Sequence, residues 1–169
     1  VDLNDTYILL IGATSSVGKY CVEILSHFLK GMYVTGHNKD KLNLLLAELP
    51  KEKKNKLTPV TSLSPIIAKA KIVIIASNRL PPDFEISKLA PGTVIFDASY
   101  PRQIKPDVRD DILVIDGVSI LPPGKVKFNF DFGLPDGLCY PCMAEPMILA
   151  LERKFENYSL GKDSDPFKI

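Results

Sequence analysis

The sequence contains no tryptophan, only two histidines and only three cysteines. An odd, small number of cysteines does not make a disulfide framework. The histidines, His27 and His37, are too few and too scattered to suggest a metal site. The N-terminus also lacks the basic start and small-residue cleavage site of a secretion signal. Together these absences favour a reduced protein of the cytoplasm.

Long apolar runs and an excess of one charge are missing as well. No apolar run approaches the ~20 residues of a membrane span, and 21 basic against 20 acidic residues give a formal net charge of +1. This balance argues against a general attraction to nucleic acid or to membranes. The 169 residues suffice for one domain, which we expect to span residues 1–158, with a polar tail at 159–169. The chain does not begin with Met, which favours a piece of a larger protein.

What the chain does contain is an alternation of short apolar runs with helical patterns. We predict six strands, at residues 6–12, 32–36, 57–61, 71–77, 92–99 and 111–117. We predict helices at residues 16–31, 39–50, 64–70 and 142–158. The near-continuous apolar strands are typical of a parallel sheet that is buried on both faces. The pattern predicts a doubly wound α/β sheet of the Rossmann type, in strand order 3-2-1-4-5-6, with a terminal helix.

Three details of this pattern are more specific. The first helix is predicted to bury one face, formed by Val17, Cys21, Ile24, Leu25 and Phe28. The basic segment at residues 51–56 is expected to be a solvated loop. The alternating segment at residues 125–133 suggests an extra strand or a hairpin.

The stretch "LIGATSSVGKYCVEIL" is predicted to turn from the first strand into the first helix. Gly12 permits a tight turn, and Gly18 lets the helix pack closely on the sheet. Backbone N–H groups from Thr14 to Val17, aided by the helix dipole and by nearby hydroxyls, would face a pyrophosphate. The predicted cofactor-binding residues of this turn are Gly12, Thr14, Ser15, Ser16, Val17 and Gly18. A plain strand–helix connection with small residues is the alternative.

The end of the second strand bears on which dinucleotide is bound. NAD sites usually carry Asp or Glu there, whereas this chain has "TGHNKDKL". Cationic and amide groups suit a 2′-phosphate, so NADP(H) is the predicted cofactor, with His37, Asn38 and Lys41 as candidate ligands beside Lys39. An exposed helix start is the alternative explanation of the two lysines.

Several stretches occur together in an order that resembles a known family. "IGATSSVG", "TGHNKDKL", "IASNRLPP", "DASYPRQI", "LVIDGVSI" and "CMAEPMILALE" are similar, in order and spacing, to the cofactor domain of cyanobacterial long-chain fatty acyl-(acyl-carrier-protein) reductases. The segment from Val94 to Val108 also resembles glutamyl-tRNA reductases and, more distantly, shikimate dehydrogenases. In these folds that segment closes over the nicotinamide, and the loop after the fourth strand lies under the cofactor. The resemblance therefore adds Ala76, Ser77, Asp97 and Tyr100 to the expected cofactor-binding residues.

The resemblance to the acyl reductases implies a chemistry. That family reduces an acyl thioester to an aldehyde with NADPH through a cysteine in a Cys-x-Ala-Glu sequence, which implies Cys142 as the nucleophile here. The expected partner is a small or carrier-bound acyl substrate, held with the help of an N-terminal domain that this sequence does not include. The chain departs from the family where Ser15 replaces a glycine and where His37 stands in place of an arginine. We expect this chain alone to bind cofactor without turnover.

The surroundings of Cys142 can also be judged without the family. Pro141 suits the first turn of a helix, where the dipole and free N–H groups stabilise a thiolate and an oxyanion. Cys139 and Cys142 could instead be a redox pair or half of a zinc site, or Cys142 could simply pack at a helix start. Two further functions stay open, namely direct hydride transfer as in shikimate or amino-acid dehydrogenases, and nucleotide binding without catalysis.

Overall fold

A computed structural model describes residues 6–131 and 133–156. Six strands form one parallel sheet in the order β3-β2-β1-β4-β5-β6, so the predicted strand order is confirmed. The strands are β1 Ile8–Ile11, β2 Met32–Thr35, β3 Leu57–Pro59, β4 Ile72–Ile75, β5 Val94–Asp97 and β6 Leu113–Asp116. The α-helices are α1 Ser16–Phe28, α2 Lys39–Glu48, α3 Lys51–Lys54 and α4 Pro141–Leu151. Short 3-10 helices cover Ile67–Lys69 and Ile86–Lys88.

Alternate residues of the central strands serve two separate hydrophobic layers. Ile8 and Leu10 of β1 pack in a layer with residues of α1 and α2. Leu9 and Ile11 pack on the opposite face, in a layer with residues from the connections that follow β3, β4 and β5. All four side chains of β1 are at most 1% exposed, which explains why this strand reads as a continuous apolar run.

The predicted buried face of α1 was right in part, since Cys21 and Leu25 pack against the core, but its centre lies about one position further along the chain. The buried residues are Gly18, Val22 and Ser26, whereas Val17 is 47% and Phe28 is 61% exposed. The close approach of Gly18 to the β1–α1 turn sets the rotation of the helix about its axis. Since successive helical residues are about 100° apart, this rotation turns Val17 toward solvent.

Two other segments differ from the expectation. Residues 51–54 of the basic segment form the one-turn helix α3 instead of a loop. Its Lys53 makes an ion pair of 2.8 Å with Glu23 of α1 and is only partly exposed. Among the described residues of 125–133 there is no strand or hairpin.

The chain divides after Asp116 into two compact units. The first contains the whole sheet, and the second begins at Gly117 and contains α4. The predicted polar tail at residues 159–169 lies outside the described residues. Among the residues that are described, no helix has the length and apolar character of a membrane span.

Candidate functional site

The turn between β1 and α1 is built around two glycines that approach other backbone atoms closely. Gly12 has a φ of +89°, and a Cβ there would lie 2.5 Å from the carbonyl oxygen of Ala76. A Cβ on Gly18 would lie 2.0 Å from the carbonyl oxygen of Gly12. Both distances are far below van der Waals contact, so neither position accepts a side chain without movement of the backbone. The structure thus places both predicted glycines where close approach requires them.

Ser15, which stands where a glycine was expected, is the N-cap of α1. Its Oγ accepts a hydrogen bond of 2.9 Å from the N–H of Gly18, and its own N–H donates to the carbonyl of Gly12 at 3.0 Å. Its φ of −73° is ordinary for any residue. In the structure, the N–H and hydroxyl of Ser15 therefore serve the turn and the start of the helix. The first N–H groups of a helix have no acceptor within it, which leaves those of Ser16 and Val17 to meet an anion.

A hydrogen-bonded bridge connects the end of β2 with the loop after β4. The Nε2 atom of His37 lies 2.9 Å from Oγ of Ser77 and 3.0 Å from the carbonyl oxygen of Arg79. Since a carbonyl oxygen can only accept, this geometry places a proton on Nε2. The bridge passes over the end of β1, where Gly12 lies. It brings together two predicted cofactor residues, His37 and Ser77, that are 40 positions apart in the sequence.

A cavity of about 290 Å³ opens at the carboxyl ends of β1, β2 and β3. Ligands of open α/β sheets bind at this edge, where the strand order reverses. The cationic side chains that line it are Lys39 and Arg79, and the imidazole of His37 lies beside them in the lining. Its remaining lining residues are Ile11, Gly12, Thr35, Gly36, Leu42, Val60, Thr61, Pro81, Pro82 and Asp83.

Two of the predicted cofactor ligands, Asn38 and Lys41, are not among the residues that line this cavity. Asn38 is the N-cap of α2, and its Oδ1 accepts a 2.9 Å hydrogen bond from the N–H of Lys41. Lys41 is exposed and is not among the lining residues, whereas Lys39 is. Thr14 lies beside Gly36 at the end of β2, with its Oγ1 3.2 Å from the position of a Cβ there.

Asp97 at the end of β5 is buried and fully engaged with its own loop. Its Oδ1 accepts from the N–H and hydroxyl of Ser99, and its Oδ2 accepts from the N–H groups of Gln103 and Ile104 at 2.8 and 2.9 Å. The carboxylate therefore shapes the loop that contains exposed Tyr100 and the cis Tyr100–Pro101 peptide. A cofactor contact by the Asp97 side chain would have to compete with these four bonds.

The three cysteines differ in exposure. Cys142 is exposed and is the second residue of α4, directly after Pro141 at its start. Cys139 is fully buried, and its backbone pairs with Ile120 in an isolated antiparallel bridge. Cys21 is partly buried against the hydrophobic layer that contains Ile8 and Leu10, and burial raises the pKa of its thiol. Of the three, Cys142 alone combines exposure with a helix start.

The comparisons with known proteins decide the family. Residues 1–116 match the family described as shikimate / quinate 5-dehydrogenase. The chain belongs to this family. The match ends at the boundary between the two compact units, so it covers the sheet and not α4. Membership makes the sheet unit an NAD(P)-binding domain of the oxidoreductase kind.

Similar proteins are longer than this chain. The aminotransferase PigE of Serratia sp. is 33% identical over 124 residues, which are 70% of this chain and 14% of that protein. The long-chain acyl-(acyl-carrier-protein) reductase of Synechococcus elongatus is 25% identical over an alignment of 175 positions. The alignment covers 96% of this chain and 48% of that protein. The chain thus spans less than half the length of either curated relative. The glutamyl-tRNA reductase structure from Methanopyrus kandleri has a TM-score of 0.50 at 17% identity, covering 67% of this chain and 30% of that one, and it shows likeness of fold alone.

Residues of the loop after β4 also line the cavity, and two of them were not among the predicted cofactor-binding residues. Arg79 and Asp83 both line the cavity, although they lie far along the sequence from His37 and Lys39. The signal that could have found them is the position of "SNRLPPD" directly after a buried central strand, because such segments lie at the ligand edge of a parallel sheet.

Proposed function

We propose that this chain is the cofactor-binding part of an NADP(H)-dependent reductase that converts an acyl thioester to an aldehyde through an acyl-enzyme on Cys142. The observation that carries the proposal is the 96% coverage of this chain by the acyl reductase of Synechococcus elongatus. Coverage of that extent leaves about seven residues unmatched, so it reaches the segment with Cys142. The family match that ends at residue 116 does not reach that segment.

The choice of NADP(H) rests on the charges around the cavity. Two cationic side chains, Lys39 and Arg79, and the imidazole of His37 line it together with one carboxylate, that of Asp83. A 2′-phosphate is best held by charge-assisted hydrogen bonds from such groups. The N–H groups of Ser16 and Val17 would hold the pyrophosphate. The residues present therefore fit the dinucleotide, which supplies a hydride when bound.

The chemistry assigned to Cys142 needs a thiolate at an accessible position. Its sulfur attacks the carbonyl carbon of the thioester, the new C–S bond forms, and the carrier leaves as a thiolate that takes up a proton. At the start of α4, Pro141 has no N–H, and the N–H groups of Met143 and Ala144 donate to the carbonyl oxygen of Tyr140 at 2.9 and 3.1 Å. The proposed donor to the oxyanion is therefore the N–H of Cys142 itself. Once the acyl carbon has received a hydride, the bond to Cys142 breaks and the aldehyde is released. The proposed partner is a carrier-bound or other small acyl thioester, held by a domain outside this chain.

The decisive experiment compares Cys142→Ala with Cys139→Ala in the full-length protein. Incubation with an acyl thioester without NADPH should give a covalent acyl adduct by mass spectrometry in the wild type and in Cys139→Ala. Cys142→Ala should give neither adduct nor aldehyde. Aldehyde formation by Cys142→Ala would contradict the proposal, and loss of adduct and aldehyde in both variants would favour a role of the cysteine pair.

Direct hydride transfer to a carbonyl group is the second candidate. It is favoured by the family match, which is to 5-dehydrogenases and covers only the sheet unit. Under this alternative Cys142 has no chemical role, so alkylation of exposed thiols would leave the activity unchanged. A protein that binds NADPH but reduces neither class of substrate would instead be a nucleotide-binding domain without catalysis.

A further inference from the structure

The cavity at the ends of β1, β2 and β3 is lined by both polar and apolar groups. The imidazole of His37 and the ammonium group of Lys39 come from the end of β2 and the start of α2, and the guanidinium group of Arg79 comes from the loop after β4. The apolar groups of Val60, Pro81 and Pro82 come from the end of β3 and from the same loop. Apolar lining residues suit a nucleobase, and cationic ones suit the ribose phosphate attached to it.

Asp83 carries the carboxylate among the lining residues, and hydrogen bonds from the segment after β3 hold this carboxylate in place. Its Oδ2 accepts hydrogen bonds from the hydroxyl of Ser62 at 2.9 Å and from the N–H of Leu63 at 2.6 Å. The bond from Leu63 holds the pKa of the Asp83 carboxyl below its usual range. Asp83 is therefore an ionised, acceptor-only group with a fixed orientation.

Both of these bonds end on Oδ2, and the N–H groups of Asp83 itself and of Ser64 also interact with the carboxylate and help to lower its pKa. An ionised carboxylate can accept more than one hydrogen bond on each of its two oxygens. Oδ1 is thus able to receive a donor from a ligand in the cavity. Adenine carries such a donor, its exocyclic 6-amino group. Hypoxanthine, which differs from adenine at this position, carries a carbonyl oxygen that would face the carboxylate unfavourably.

We propose that Asp83 determines the base preference of the dinucleotide site by accepting a hydrogen bond from the 6-amino group of adenine through Oδ1. This inference rests on the proposed function, because it assumes that the cavity holds the adenosine part of NADP(H). The inference assigns to Asp83 the discrimination between bases. Asp83 lies in the loop after β4, and its hydrogen bonds with Ser62 and Leu63 place it beside the segment that follows β3.

The substitution Asp83→Asn should reverse the base preference while keeping the hydrogen bonds from Ser62 and Leu63. In Asp83→Asn, the amide oxygen can keep the bonds from Ser62 and Leu63, while the amide nitrogen replaces Oδ1 and becomes a donor. This donor suits the carbonyl oxygen of hypoxanthine and not the amino group of adenine. Asp107→Asn, at an exposed position of the same unit, removes an equal charge and serves as the control.

The experiment measures the dissociation constants of NADPH and of its hypoxanthine analogue for all three proteins by calorimetry. The wild type and Asp107→Asn should bind NADPH about tenfold more tightly than the analogue, the size expected for a charge-assisted hydrogen bond of at least ~1.4 kcal/mol. Asp83→Asn should bind the analogue at least as tightly as NADPH.

The outcomes separate the two proposals. If the wild type binds both dinucleotides with equal affinity, or if Asp83→Asn keeps the wild-type ratio, the role of Asp83 is wrong while NADP(H) binding stands. If the wild type binds neither dinucleotide, the proposed function fails and the role of Asp83 fails with it. The wild-type ratio decides the matter even if Asp83→Asn does not fold.

Discussion

The carbonyl oxygen of Gly12 lies where a Cβ on Gly18 would come within 2.0 Å of it. This single approach joins the β1–α1 turn to the first turn of the helix. It sets which residues of α1 face the sheet, and it keeps the N–H groups of Ser16 and Val17 at the edge where a pyrophosphate would bind. Stability and cofactor binding therefore depend on the same few backbone atoms.

We expect Gly12→Ala to destabilise the fold more than Gly92→Ala. Both glycines have a positive φ, +89° and +76°, but a Cβ at Gly92 meets nothing within 4 Å. Gly92→Ala should lose about 1 kcal/mol of unfolding free energy from backbone strain alone. Gly12→Ala should lose an additional ~1–3 kcal/mol from overpacking against Ala76. Urea unfolding followed by circular dichroism measures both, and equal losses would contradict the close approach.

Ser15→Ala should cost about 1 kcal/mol of stability, because it removes the side-chain acceptor of the Gly18 N–H. Ser15→Gly should cost only a few tenths of a kcal/mol. Since the Ser15 side chain serves the helix, Ser15→Gly should leave the dissociation constant of NADPH within about twofold. A large gain of affinity in Ser15→Gly would show that the serine obstructs the cofactor. Thermal unfolding and fluorescence titration provide the two measurements.

Asp97→Asn should be among the more damaging single substitutions of the sheet unit. The carboxylate accepts four hydrogen bonds in a buried site, and an amide would turn a donor toward donors. We expect a loss of about 2–3 kcal/mol, against about 0.5 kcal/mol or less for Asp110→Asn at an exposed position. A loss as small as that of the control, measured by urea unfolding, would argue against the hydrogen-bonded loop.

Lys39→Ala and Lys41→Ala form a matched pair for the 2′-phosphate site. Lys39 lines the cavity and Lys41 does not, although both are exposed lysines in the first turn of α2. Lys39→Ala should weaken NADPH about tenfold and should change NADH little, whereas Lys41→Ala should change neither. If the two variants behave alike in calorimetric titrations, the cavity does not hold the phosphate as proposed.

Asp83 should make the stability of the fold sensitive to acid. Its pKa is lowered in the folded state, so its contribution is complete above the ordinary pKa of about 3.9. That contribution is lost as the pH falls through the folded pKa. The difference in unfolding free energy between wild type and Asp83→Asn should therefore shrink below about pH 4. A difference that stays constant between pH 7 and pH 3 would contradict the shifted pKa.

Sequence reasoning succeeded where the pattern is local and failed where distant segments meet. The strand order followed from apolar runs separated by helices, and the glycine turn followed from Gly12 and Gly18. The face of α1 was predicted only in part because the contact of Gly18 with the turn, and not the average hydrophobicity of the helix, sets its rotation. The loop after β4 was expected near the cofactor, but Arg79 and Asp83 were not singled out because the sequence does not show which side chains of that loop reach the ends of β2 and β3.

Among the residues that the structure describes, those that line the cavity all lie from Ile11 to Asp83, within the first unit. A site encoded in one uninterrupted stretch can be inherited as a whole when genes are joined or split. The proposed nucleotide site is thus contained in a single segment of the sheet unit, which ends well before the boundary at Asp116.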